Sequence, residues 1–161
     1  MVTPMRTKLE GADDGSPIAQ REFVTSRVID APRERVFRAF SDPAMLSQWW
    51  GPKGFRNTFQ QFELKPGGVW RLVMHGPDGQ DHANESVFVD VVEPERVVFE
   101  HMSGHHFVMT ITFTSEGENS TRVGWRQVFD TAAERERIAR FVIEANEQNL
   151  DRLAALVRAM E

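Results

Sequence analysis

Residues 30–55 read DAPRERVFRAFSDPAMLSQWWGPKGF, and this stretch decides the fold. Asp30-Ala31-Pro32 opens a short helix, because proline is tolerated in a first helical turn. Val36, Phe37, Ala39 and Phe40 make its apolar side. Ser41-Asp42-Pro43 repeats the signal: a capping side chain, then proline, then a second short helix through Met45, Leu46 and Trp49. Gly51-Pro52 and Gly54 stop it. From Phe55 onward the apolar period changes from 3.6 to 2, so the chain leaves helix for sheet.

Working outward, Phe23–Asp30 reads as a strand before the two helices. Strand readings follow at Phe55–Leu64, Val69–His75, Asn84–Val92, Arg96–His101, His106–Ser115 and Thr121–Asp130. Turn signals separate them, including Pro66-Gly67-Gly68, Gly76-Pro77-Asp78-Gly79 and Glu93-Pro94-Glu95. The end returns to helix. Thr131 can cap it, with Glu134 completing a capping box, and Ile138, Phe141, Val142, Ala145, Leu153, Val157 and Met160 fall on or near one face. Glu136 and Arg140 make a favourable pair on the other face. The predicted order is β-α-α, six strands of meander, then one long helix from about Ala132 to Met160. Segregated strands and helices make an α+β domain. A curved antiparallel sheet around a long C-terminal helix leaves a space between them, the natural place for a ligand.

The chain has 161 residues and no cysteine, which excludes disulfides, thiolate nucleophiles and Cys-based zinc sites. The net charge of −5 argues against general nucleic-acid binding. No apolar run reaches the roughly 18 residues needed to span a bilayer, and Met1–Gln20 lacks the apolar core of a secretory signal. A soluble cytoplasmic protein without membrane insertion is the expectation. Residues 1–20 are too polar to offset their ordering entropy and are expected to form a flexible tail, with one folded domain over 21–161.

Trp49 and Trp50 sit side by side at a helix end, where one neighbour can anchor the core while the other lines an opening. The inward face of the sheet is read as Trp70, Leu72 and Met74; Val87, Val89 and Val91; Phe99 with His101; Phe107, Met109, Ile111 and Phe113; and Val123, Trp125 and Phe129. Its Met and Phe content suits an adaptable apolar pocket. Gln127 interrupts the last strand, and Asn146 and Asn149 lie on the covering helix; such amides need partners when buried. The ligand-binding candidates are therefore Trp49, Trp50, Trp70, Met74, Phe99, His101, Phe107, Met109, Trp125, Gln127, Asn146 and Asn149. His101, His105 and His106 carry no carboxylate at a recognisable ligand spacing, so no metal is expected. Gly51-Pro52-Lys53-Gly54 is no phosphate loop, and no Ser/His/Asp set or paired-carboxylate signature assigns a catalytic residue or a cofactor.

Several segments are similar to a known family. Asp30-Ala31-Pro32 with Val36-Phe37, Asp42-Pro43, and Gln48-Trp49-Trp50-Gly51-Pro52-Lys53-Gly54-Phe55 resemble the opening of the SRPBCC (START/Bet v 1-like) superfamily, most of all its AHSA1 branch, named for the activator of Hsp90 ATPase. Leu64-Lys65-Pro66-Gly67-Gly68-Val69-Trp70, Gly76-Pro77-Asp78-Gly79, Val92-Glu93-Pro94-Glu95-Arg96-Val97-Val98-Phe99 and Leu150-Asp151-Arg152-Leu153 resemble its later signatures, in order. The resemblance implies the helix-grip fold, β-α-α-β6-α, with an internal cavity. The family often has Gly-Trp where this chain has Ala145-Asn146, which implies a larger or more polar space, and Ser86 stands where glycine is frequent. The implied function is binding of a small hydrophobic or amphipathic molecule. Two alternatives are a stress-related co-chaperone stimulating an Hsp90-type ATPase, and a cavity-based cyclase or hydrolase using His101 as base with Gln127 or Asn146. The resemblance leaves monomer and homodimer both open.

Overall fold

The computed structural model of the protein describes residues 15–160. Seven strands form one open, curved antiparallel sheet. They are β1 (Glu22–Ile29), β2 (Arg56–Phe62), β3 (Val69–His75), β4 (Asp81–Val92), β5 (Arg96–His101), β6 (Phe107–Ser115) and β7 (Thr121–Phe129), in the order β1-β7-β6-β5-β4-β3-β2. Two short helices, α1 (Arg33–Ser41) and α2 (Pro43–Trp49), connect the two edge strands, and α3 (Ala132–Ala159) closes the chain. Most of the 1–20 segment lies outside the described residues; within it Ile18–Gln20 forms a 3-10 turn.

Local chemistry sets the helix starts. Pro32 precedes α1, and Pro43 occupies the first turn of α2, where the Asp42 carboxylate accepts from the Ala44 N–H at 3.0 Å. Thr131 caps α3 by accepting from the Glu134 N–H at 3.0 Å. The reciprocal half of the expected capping box is replaced, because the Glu134 carboxylate goes to His105 and Arg137. Glu136 likewise pairs with Arg135 rather than Arg140.

The main core joins α1, α2, the inward sheet residues and the C-terminal half of α3 through Leu150, Leu153 and Val157, with Met160 just after the helix. A second, smaller cluster holds the first half of α3 by Val142 against Phe23 and Phe129. Between the two clusters the helix presents Ala145, Asn146 and Asn149, which are too small or too polar to fill the space beneath.

Two expected faces are corrected. On β4, Ser86 and Phe88 point inward, whereas Val87 and Val89 are half-buried. A bulge causes this: Phe88 opposes Phe99 and Asp90 opposes Val98, leaving Val89 as an extra residue. Val91 still packs on the core, but counting back from it by twos crosses the bulge and inverts the parity. On α3, Phe141 is 67% exposed rather than part of the covered face.

Candidate ligand cavity

The space between sheet and α3 is a cavity of about 510 Å³. Its floor is built by α3, which aims Ile138, Val142, Ala145, Asn146 and Asn149 down one stripe. Its opposite wall comes from alternate residues of β3 to β7, and one end is closed by Trp50 and the Gly51–Phe55 loop. The exposed lining residues His82, Ala83, Gly104, His105 and Phe141 mark a rim between the start of β4, the β5–β6 loop and α3.

The structure brings together Trp50, Trp70, Met74, Phe99, His101, Phe107, Met109, Trp125, Gln127, Asn146 and Asn149 around this space. Trp49 is not in the lining. It is 1% exposed in the core, and its indole N–H donates to the Ala39 carbonyl at 2.9 Å, so it anchors α2 to α1. Its neighbour Trp50 packs instead on Trp70 (centroids 4.9 Å apart), Trp125 (5.7 Å) and Phe99 (5.9 Å). The α2 C-terminus turns to an extended conformation at Trp50, which sends the two indoles to different surroundings although they still meet edge-on at 5.5 Å.

Asn146 donates to the Gln127 side-chain carbonyl at 3.1 Å, bridging helix and sheet. Three other polar atoms of lining residues are buried without a partner among the described residues: the indole N–H groups of Trp70 and Trp125 and the amide oxygen of Asn149. Buried polar groups of this kind are costly unless something satisfies them.

His101 stacks on Phe107 at 4.5 Å and 10°. Its Nδ1 donates to the His105 carbonyl at 2.7 Å, and its Nε2 lies 2.6 Å from the Asn84 side-chain oxygen. Both ring nitrogens face oxygen atoms of the protein, which fixes the ring against Phe107. Burial pushes its pKa below the ordinary imidazole value. Between that lowered value and about 6.5 the unfolded chain binds more protons than the folded one, so this residue makes stability fall as pH drops through that window. His101→Gln is expected to narrow its stability gap to the parent protein between pH 7.5 and pH 5.5, measured by urea titration at both.

Sequence spacing did not reveal Arg152. From α3 its guanidinium donates to the carbonyls of Gln48, Trp50, Gly51, Pro52 and Phe55 at 2.9–3.2 Å. Asn57 adds a bond to the Trp50 carbonyl at 2.8 Å. Together they fix the loop that places Trp50. Gly51 has φ +98°, a left-handed backbone conformation that favours glycine at this point of the loop. Hydrogen bonds to a charged donor are worth roughly 1.5–3 kcal/mol. Arg152→Met, which keeps the apolar stem, is expected to cost about 2–3 kcal/mol by chemical denaturation.

Outside the cavity, the His106 imidazole lies between Glu100 (Nε2 to carboxylate 2.6 Å) and Asp130 (Nδ1 to carboxylate 2.7 Å). His105 Nδ1 is hydrogen-bonded to the Glu134 carboxylate of α3. These contacts tie the β5–β6 loop, one side of the rim, to β7 and to the start of α3. Among the described residues no cluster of His, Asp and Glu could hold a metal ion, and no helix is long and apolar enough to cross a membrane.

A family model described as Activator of Hsp90 ATPase homolog 1-like protein matches residues 30–158. Solved structures share the fold. A Nitrosomonas europaea protein superposes with TM-score 0.81 at 20% identity, covering 91% of this chain and all of its own. A Chromobacterium violaceum protein gives TM-score 0.74 at 27% identity, over 84% of this chain and 96% of its own. The AHSA1 protein of Silicibacter pomeroyi gives 0.74 at 21% identity, over 87% and 99%. No curated protein matches the chain.

Proposed function

We propose, from the premise that the chain belongs to the Activator of Hsp90 ATPase homolog 1-like family, that it is a binding domain for a small hydrophobic or amphipathic molecule held between sheet and helix. The observation that carries this reading is the cavity of about 510 Å³ with its predominantly aromatic and apolar lining. That volume falls in the range of small-molecule sites, roughly 300–1,000 Å³, and mostly apolar walls with a few placed polar groups are their usual composition. Trp50, Trp70, Met74, Phe99, His101, Phe107, Met109, Trp125, Gln127, Asn146 and Asn149 are the residues proposed to contact it.

The test is native mass spectrometry of the purified protein, followed by denaturation and identification of the released molecule. A stoichiometric adduct is the expected result. Absence of an adduct, together with no saturable binding across a lipid and metabolite panel, would refute the reading. Trp50→Ala is expected to weaken binding of any such ligand about tenfold or more, because it removes the largest ring closing one end; unchanged affinity would take Trp50 out of the site.

The family description also raises a co-chaperone role. The binding reading expects no change in the turnover of an Hsp90-type ATPase on adding this protein, and a dose-dependent increase would favour the co-chaperone instead.

A further inference from the structure

We propose that Thr58, His75 and Asp81 form a nucleophilic triad on the sheet face opposite the cavity, and that the Thr58 hydroxyl accepts an acyl group from small activated donors of the aryl-ester or thioester class. This site is independent of the cavity and of the binding function proposed above.

Strand pairing builds it. Antiparallel pairing of β2 with β3 sets Arg56 opposite His75 and Thr58 opposite Val73, so Thr58 and His75 are diagonal neighbours. Pairing of β3 with β4 sets His75 directly opposite Asp81. Successive side chains alternate between faces. Phe59 packs on the core, and Met74 and His82 line the cavity, so Thr58, His75 and Asp81 stand together on the other face. No spacing in the sequence announces a set that meets only across three strands.

The hydrogen bonds run in the order that a nucleophile, a base and an orienting group require. The Asp81 carboxylate accepts from Nδ1 of His75 at 2.8 Å. This holds the neutral ring in the tautomer whose Nε2 carries a lone pair. The Thr58 hydroxyl donates to that Nε2 at 2.8 Å. Both contacts fall within the roughly 2.6–3.2 Å reach of an activated nucleophile and its base. The turn between His75 and Asp81 is closed by its own bonds: the Gly76 N–H donates to the Gln80 carbonyl at 2.8 Å, and the Gln80 N–H donates to the Asp78 carboxylate at 3.0 Å. The His75 side chain is 24% exposed and held at both nitrogens, while Thr58 is exposed to molecules arriving from solvent.

In the step that follows, Thr58 Oγ1 attacks the acyl carbonyl carbon as His75 Nε2 takes the hydroxyl proton. The bond from that carbon to the leaving oxygen or sulfur breaks, the leaving group departs as an anion with the electron pair, and His75 releases the proton to water. Thr58 is left as an acyl ester. Arg56 stands two residues before Thr58 on the same face, and its guanidinium makes no hydrogen bond or ion pair among the described residues. A cation so placed offsets the charge that develops on the carbonyl oxygen. Aryl esters and thioesters suit this arrangement better than amides, because their leaving groups depart without being protonated.

The test is incubation of the full chain with 4-nitrophenyl acetate at pH 8, read as released 4-nitrophenolate and as acetyl groups located by peptide mass spectrometry. A stoichiometric burst with acetyl on Thr58 is the expected result. Thr58→Val, which keeps the side-chain shape, and His75→Gln are each expected to slow the burst about a hundredfold. Thr58→Ser is expected to retain it. Asp81 is a positioning residue: Asp81→Asn is expected to slow the burst about tenfold or more, and Asp81→Glu to restore part of it. Acetyl on Lys53 or Lys65 with none on Thr58 overturns the proposal. So does a burst that survives in Thr58→Val and disappears in His75→Gln, since the imidazole would then be the nucleophile. Equal rates in the parent protein and Asp81→Asn overturn the role of Asp81. Should a variant fail to fold, the position of the acetyl group on the parent chain still decides whether Thr58 is the acceptor.

Discussion

His106→Ala is expected to lower stability by about 3–5 kcal/mol. The imidazole lies between two carboxylates, and its side chain is 7% exposed. Glu100 beside it is 5% exposed and has its 2.6 Å contact with this ring. Deleting the ring leaves the Glu100 carboxylate buried without an ion partner, and the resulting penalty exceeds what the intact pair contributes. The same deletion frees the β5–β6 loop from Asp130 at the end of β7. For a chain of this length the loss corresponds to a fall in Tm of roughly 10 °C. The double variant Glu100→Gln with His106→Ala is expected to recover part of that loss, because it no longer buries an unpaired charge. A thermal scan in which His106→Ala falls by less than about 1 kcal/mol would mean that the cluster is solvated and structurally idle.

Trp70→Ala is expected to cost about 3–5 kcal/mol as well, by a different route. The indole is 1% exposed and lies at the centre of the aromatic core. It stacks on Phe88 at 5.9 Å and 6°, and meets Phe40, Phe59, Phe62, Phe99 and Trp50 edge-on or tilted. Six rings cannot collapse together into the volume that one indole leaves, so the transfer loss and a residual void add. Because Trp70 also lines the cavity, the void joins it, and the variant is expected to bind larger aromatic molecules than the parent protein. Trp70→Phe is expected to recover more than half of the stability, which separates loss of ring volume from loss of the indole N–H. That N–H has no partner among the described residues, so removing it alone costs little.

The elements themselves were legible because the proline and glycine punctuation agrees with the hydrophobic period on both sides of it. Pro43 and the Asp42 cap place α2 where the sequence puts it, and the period-2 run of Phe107–Ser115 is β6. Parity on β4 was not legible, since the bulge at Val89 has no glycine or proline to announce it. The first half of α3 misled for a related reason: Phe141 is apolar but lies where the helix passes over the rim instead of the core. Of the candidate site, much of the lining was readable as alternation on strands; adjacency showed that Trp49 and Trp50 could differ in role but not which one leaves the lining, and Trp49, read as a candidate, is the one that does. The Glu100–His106–Asp130 cluster was invisible, because its members meet only through β5–β6 and β6–β7 pairing and share no spacing motif. Arg152 was hidden similarly: its carbonyl partners lie about a hundred residues away in the chain.

The most direct measurement follows from having four tryptophans, at positions 49, 50, 70 and 125, of which three line the cavity and one does not. Each gives one indole N–H resonance in a two-dimensional nitrogen–proton spectrum. On titration with 1-hydroxypyrene, the resonances of Trp50, Trp70 and Trp125 are expected to shift saturably with a common affinity, while Trp49, bonded to the Ala39 carbonyl in the core, moves least. Four resonances that stay fixed would contradict a ligand held between the sheet and α3.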